Sequence, residues 1–379
     1  MRERRLELAC ACAAAFAFSS NYTNHAPLAA LLMRQFAFTQ AMAGLLTTGI
    51  FMTHAAMQIP GGHLADRFGG RRVLAWALAV VCVGNVGIAY AGSYGALLFW
   101  KVLAGFGTGT CFVAGARYLA QAMPPSLLAR AQGYYGGSVL LGSGFVIYAV
   151  PRAADSFGWS GAFLMTALVA IAVLVFWLAA APAPQPAAHP PVSLLSLLGH
   201  RQLWLLGSVQ MASFGLVIVI GSWITQLLRV QAGMSTAAAG GLGSLVLLIG
   251  IASRPLGGAL ARDLPVRPLV AASLAINVVG CVLLAWAGSS VGWMVGGIVL
   301  LGIGCGLPYA ALFNRAALLF PGRAGAAMGL VNMLGIVMIL VGAPAVGTIA
   351  DWTGNFHAAF VSLAAFSAAV LLAALFIRD

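Results

Sequence analysis

Apolar stretches of about twenty residues or more follow one another along almost the whole chain, parted by short segments rich in arginine, proline and glycine. They fall at about 8–33, 40–61, 72–92, 96–120, 130–150 and 160–181, and again at about 203–228, 236–261, 268–288, 291–315, 325–349 and 356–377. A helix rising about 1.5 Å per residue needs about 20 apolar residues to cross a hydrocarbon core about 30 Å thick. The pattern therefore predicts an all-α membrane protein of twelve transmembrane helices. Between the two sets of six, five prolines occur in the ten residues 182–191, which favours extended, solvated backbone and cannot continue a helix. The expected organisation is a six-helix bundle over 1–181, a Pro-rich cytoplasmic linker over 182–202, and a second six-helix bundle over 203–379.

Composition agrees. Of 379 residues, 62% are hydrophobic and 7% charged, against about 25% charged in soluble domains, which excludes a water-soluble enzyme. The net charge of +12 would suggest nucleic acid on a soluble chain, but here the basic residues lie singly or in short segments between apolar spans. If the N-terminus is cytoplasmic, fourteen arginines fall at the cytoplasmic face and three (Arg34, Arg152 and Arg229) at the other, as the positive-inside rule requires. That places a multi-pass protein in the inner (plasma) membrane, with both termini cytoplasmic and the bilayer rather than nucleic acid as its partner. The apolar stretch after Arg2–Arg5 continues beyond Asn21–His25 into Leu28–Met33, so it reads as an uncleaved first helix rather than a signal peptide. Six cysteines fall within apolar stretches, without C-x-x-C spacing, as buried thiols would. No metal site, phosphate-cradling G-x-x-x-x-G-K-[ST] motif or cofactor motif is expected.

The two halves repeat. Gly61-Gly62-His63-Leu64-Ala65-Asp66-Arg67 lines up with Gly257-Gly258-Ala259-Leu260-Ala261-Arg262-Asp263 at an offset of 196, which also carries Asp155 onto Asp351. An offset of 197 carries Gly105-Phe106-Gly107-Thr108-Gly109 onto Gly302-Ile303-Gly304-Cys305-Gly306. Two homologous six-helix halves are a plan found in secondary transporters.

The segment Gly62-His63-Leu64-Ala65-Asp66-Arg67-Phe68-Gly69-Gly70-Arg71-Arg72 resembles the loop between helices two and three of the major facilitator superfamily. Lys101-Val102-Leu103-Ala104-Gly105 on helix four and the Gly158-Trp159 entry to helix six support the resemblance. It implies that family's fold and rocker-switch alternating access. It also implies a gating role for Gly62, Asp66, Arg67, Gly69 and Arg71, with Asp66 latching onto a neighbouring helix N-terminus and a helix-four arginine, here Arg117. The second copy departs from the pattern, because Arg262-Asp263 reverses the Asp-Arg order and Pro265 stands where the turn glycines would be.

Charges inside a membrane are costly and mark function. Arg254 lies about 12 Å inside the end of helix eight, and Lys101, the sole lysine, lies within helix four. Every acidic residue maps to a span end or a loop, so an anionic substrate would supply the missing counter-charge. Ser253-Arg254-Pro255-Leu256-Gly257-Gly258 resembles helix eight of monocarboxylate and nitrate/nitrite porters, which implies that Arg254 meets the anion. Nitrate porters also carry an arginine on helix two; the internal offset puts Gln58 there, and their asparagine–glycine signatures are missing, so an organic carboxylate moves ahead of nitrate. Asn21, His25, Gln58, Trp223 and Asn332 complete the expected substrate site. His25 and His54 are the side chains inside the spans able to titrate near neutral pH, hence candidates to carry a coupling proton; exchange against a counter-anion is the alternative.

The expectation is a monomeric secondary transporter of a small anion, not an enzyme. Its rivals are a nitrate/nitrite-type porter, a drug or metabolite exporter (against which the missing buried acids count), and a non-transporting scaffold or sensor.

Overall fold

The computed structural model describes residues 2–182, 197–320 and 324–378. Most of the expected linker, and the side chains of Asp66, Arg130, Arg262 and Arg323, lie outside the described residues. The described chain is almost wholly helical. Nine segments among the described residues are individually long and apolar enough to cross a membrane, one of them the 50-residue stretch Ala131–Ala180. Gly158 breaks that stretch, with φ 69° and ψ 175° inside α7 (Pro125–Ala180), so it makes two spans. Two further spans are interrupted helices that fall short piece by piece, and the total is consistent with twelve.

The chain divides into two compact units, Met1–Phe38 with Leu45–His189, and Thr39–Gly44 with Pro190–Asp379. In the first, one span is made by α1 (Arg2–Ser19) and α2 (Ala29–Phe36) with a short 3-10 turn at Ala26–Leu28. The expected continuous helix over 8–33 is thus broken at Ser20–His25. The polar run explains the break: serine and asparagine side chains compete for the backbone, and Pro27 has no N–H to give. The second span, α3 (Gln40–Ala56) and α4 (Gln58–Phe68), parts at Met57. Pro60 leaves the carbonyl of Ala56 without its helical donor there. α5 (Gly70–Ala89) packs along α6 (Tyr94–Ala122), and α1 along α7.

In the second unit, α8 (Arg201–Gln210) and α9 (Leu216–Ala232) are joined through a π-helical turn at Met211–Gly215. α10 (Thr236–Gly243) and α11 (Leu245–Asp263) part at Ser244, and α13 (Val291–Gly306) and α14 (Tyr309–Leu319) part at Leu307–Pro308. α12 (Val266–Trp286) packs against α13 and α16 (His357–Ala374), while α15 (Ala324–Thr353) runs beside α8 and the π turn.

Lipid tails are as apolar as leucine, so helix association here depends on close packing rather than on hydrophobic burial. α6 and α3 show it: a β-carbon on Gly109 would fall against the His54 carbonyl oxygen and 2.7 Å from its Cα. Gly137 on α7, by contrast, has nothing within 4 Å of that position. Gly109→Val should therefore cost about 1–3 kcal/mol, the usual penalty of overpacking, while Gly137→Ala should be neutral or slightly stabilising. Melting of the detergent-purified variants checks this; equal melting temperatures would contradict the close-packing account.

Candidate functional site

The broken first span gathers a polar cluster inside the first unit. Around the break the amide bonds shorten to three-residue spacing, with Asn21 N–H donating to Phe18 O at 3.2 Å and Tyr22 N–H to Ser19 O at 3.0 Å. Polar groups around the break find their partners within the protein, because lipid offers none. Ser143 Oγ on α7 donates to Ser19 O at 3.2 Å, and Lys101 Nζ on α6 donates to Asn21 O at 2.8 Å. Lys101 also donates to Asn24 Oδ1, whose amide nitrogen reaches Asn85 Oδ1 on α5 and Thr166 Oγ1 on α7, each at 3.3 Å. Lys101, Asn21, Asn24 and Asn85 are all buried. The sole lysine is thus tied to the helix break by neutral oxygens of its own bundle.

Both membrane histidines are buried and bonded to threonines. His25 Nε2 pairs with Thr47 Oγ1 at 3.1 Å, and His54 Nδ1 with Thr108 Oγ1 at 3.1 Å. Thr108 Oγ1 also lies 3.2 Å from Gly105 O, so the hydroxyl bridges the imidazole and the α6 backbone. Tyr22 stacks near both Phe51 (4.7 Å between ring centres) and His54 (5.4 Å), which makes an aromatic wall beside the break. Gln58 is half-buried and reaches back to the His54 carbonyl at 3.5 Å.

In the second unit, Arg254 is buried on α11, its guanidinium carbon 4.0 Å from the centre of the Tyr309 ring. Tyr309 opens α14 just beyond the Leu307–Pro308 interruption. That interruption sits hard against α11, because a β-carbon on Gly257 would strike Leu307 O. Trp223 is buried and donates from Nε1 to Ala343 O at 2.9 Å; Asn332 Oδ1 accepts from Gln210 Nε2 at 3.5 Å. The candidates thus fall into two groups, Lys101, Asn21, His25, His54 and Gln58 in one unit and Arg254, Trp223 and Asn332 in the other.

The loop residues are distributed as follows. Gly69 takes φ 85° and closes α4, a conformation that favours glycine. Arg71 donates from Nε to Ala181 O at 2.6 Å and from Nη2 to Leu178 O at 3.0 Å, while Trp177 Nε1 returns a bond to Arg71 O at 3.0 Å. Arg71 therefore clamps the C-terminal carbonyls of α7, where a cation also complements the helix dipole. Arg67 lies 5.1 Å from the Phe68 ring centre. Gly62 is half-buried in α4. The Asp66 side chain lies outside the described residues, so its pairing with Arg117 stays with the resemblance.

Among the described residues no group of three or more His, Cys, Asp or Glu is placed to hold a metal. The six cysteines are free; all but the half-buried Cys12 are buried. Tyr309, Asn85, Thr47, Thr108 and Thr166 join these clusters without a motif of their own in the sequence. A lone asparagine in the apolar run of α5 was the available signal for Asn85; the others became legible only through their partners.

An all-helical, multi-pass membrane protein built from two internally repeated halves, with buried cations and broken helices at membrane depth, has the architecture of a secondary transporter. The sequence profile described as Major Facilitator Superfamily matches residues 11–272. The chain belongs to that superfamily. It is 29% identical over 384 residues to the 2-nitroimidazole transporter of Escherichia coli, covering 94% of this chain and 90% of that one. It is 29% identical over 310 residues to a probable nitrate/nitrite transporter, NarK2, of Mycobacterium tuberculosis, covering 76% of each. A probable chloroplastic anion transporter of Arabidopsis thaliana matches at 30% over 145 residues, where the chain spans only 27% of that relative's length. A bacterial homologue of the human lysosomal transporter Spinster shares the fold, with a TM-score of 0.80 at 16% identity over 100% of this chain and 97% of that one.

Arg71→Ala should remove two bonds to the end of α7 and lower stability by about 1–2 kcal/mol, as for a cation at a partly buried helix C-terminus. A melting temperature equal to that of the unaltered protein would show that the clamp contributes nothing.

Proposed function

We propose that the chain is a secondary active transporter that carries a small anion across the plasma (inner) membrane by alternating access, with Arg254 as the anion-binding residue. The observation that carries this reading is the burial of Arg254 at membrane depth on α11, with its guanidinium face laid on Tyr309. A guanidinium that rests one face on an aromatic ring keeps its N–H edges in plane for a carboxylate or other planar oxyanion. Two of the relatives are named for anions, the nitrate/nitrite and chloroplastic anion transporters, and their names support this class; the 2-nitroimidazole transporter is named for a different kind of solute. Among those possibilities an organic carboxylate stands ahead of nitrate, because Gln58 occupies the place where nitrate porters carry a second arginine. A nitrate-type porter is the second reading, favoured by the NarK2 similarity. In this proposal Trp223 and Asn332 line the site on the Arg254 side. Lys101, Asn21, His25 and Gln58 are proposed as the polar substrate contacts of the first unit, while His25 and His54 carry the coupling proton.

Purified protein in liposomes tests the binding assignment with a panel of nitrate, glucarate and sulfoacetate. Arg254→Gln should lower kcat/KM for the transported anion about 10- to 100-fold, the worth of one charge-assisted hydrogen bond pair; unchanged uptake would sink the assignment. In the same liposomes an imposed pH gradient should accelerate uptake by the unaltered protein. Flux indifferent to the gradient would remove the histidines from coupling and leave exchange against a counter-anion.

A further inference from the structure

The first turn of α3 carries a second feature that the binding site does not use. A helix begins with amide donors that have no partner of their own. In α3 the donor of Met42 is taken by the side chain of Thr39, at 3.3 Å, and the ordinary helical bond runs from Ala43 N to Thr39 O at 3.0 Å. The two remaining donors go to one carboxylate far away in the sequence. Asp351, near the end of α15, accepts from Gln40 N through Oδ1 at 3.1 Å and from Ala41 N through Oδ2 at 2.8 Å.

The seat beneath this contact is built from small residues. A β-carbon on Gly44 would lie 2.5 Å from Ala343 O and 2.6 Å from the Cα of Pro344. One on Gly347 would collide with Gln40 O and lie 2.8 Å from the Trp223 ring. Trp223 in turn holds Ala343 O through its indole N–H. Thr39–Gly44 belong to the same compact unit as Trp223, Ala343 and Asp351. α3 is thereby anchored at its first turn on α15, at the opposite end of the α3–α4 pair from the Gly62–Arg72 loop.

Two properties suit this contact to being made and broken. Asp351 is exposed, so water can replace each bond it makes, and the closest approach is of backbone on backbone at Gly44 and Gly347, with the Trp223 ring beside it. The equivalent helix start in the other half is built differently. α10 satisfies its first turn locally, with Ser235 Oγ accepting from Ala238 N at 3.2 Å.

We propose that Asp351 is a positioning residue of the transport cycle, a releasable latch that holds the first turn of α3 on α15. The proposal rests on the transporter reading for its purpose, but its geometry is testable without any substrate. Full-length protein in lipid nanodiscs would be compared with Asp351→Asn, Asp351→Glu and Thr39→Ala by peptide-resolved hydrogen–deuterium exchange. The same set carrying Ala43→Cys, a buried position in the turn, would be labelled with a maleimide and read by mass spectrometry at that peptide.

Asp351→Asn should speed both exchange over Gln40–Gly44 and labelling at position 43 about tenfold, within what a charge-assisted bond supports. The first turn of α10 and the melting temperature should not change. Asp351→Glu, which keeps both oxygens, should restore slow labelling, and Thr39→Ala should act on exchange at Met42 without releasing the turn. Unchanged exchange and labelling in Asp351→Asn would overturn the latch. So would a parallel increase at α10 with a fall in melting temperature, because that marks general loosening. Neither result bears on Arg254, whose test reads anion uptake alone.

Discussion

Lipid offers no hydrogen bonds, so any backbone group released by a break in a membrane helix must be satisfied by the protein itself. The internal architecture of both units follows from that constraint. The first span is broken at Ser20–His25, where Lys101 donates to Asn21 O and Ser143 adds a bond to Ser19 O, which also accepts from Tyr22 N–H. The corresponding span of the second unit is only loosened into a π turn at Met211–Gly215, and Asn277 Nδ2 donates to its Ala212 O at 2.8 Å.

The internal repeat makes this comparison informative. The offset that aligns the glycines of α6 and α13 places Lys101 opposite Ile298, a fully buried apolar residue. The same helix position is therefore filled without a charge in the second unit, and the fold alone does not require one. Lys101 accompanies the break at Ser20–His25 and the polar network of Asn21, Asn24, Asn85 and Thr166 in the first unit. Arg254 has the opposite history: Gln58, its counterpart at the offset of 196, is neutral and half-buried. The cations of the two halves thus sit at different places in the repeat, which gives each unit its own chemistry on a common framework.

Close approach is the second organising device. Gly109 against the His54 carbonyl, Gly257 against Leu307 O and Gly44 over Ala343 O are contacts in which backbone meets backbone with no side chain between. Each lies next to a feature with functional candidates: His54 and Thr108, Arg254 and Tyr309, Trp223 and Asp351. Glycine at these places fixes the distance at which the neighbouring polar groups meet.

The run of apolar spans, the proline-rich interval between the two sets of six, and the repeat at offsets of 196 and 197 determined the membrane architecture by themselves. Hydrophobic length and glycine spacing are properties of the chain itself. The Gly62–Arg72 segment carried the family likewise, and burial of Lys101 and Arg254 followed from their place inside apolar runs. What no spacing could reveal was which partner each buried group would find. Lys101 meets Asn21 O and Asn24, Arg254 lies on Tyr309, Arg71 clamps the end of α7, and Asp351 caps α3 across 310 residues of chain. Those pairings depend on where helices break and how they cross, and breaks are settled by competition between side chains and backbone that only the packed tertiary structure resolves.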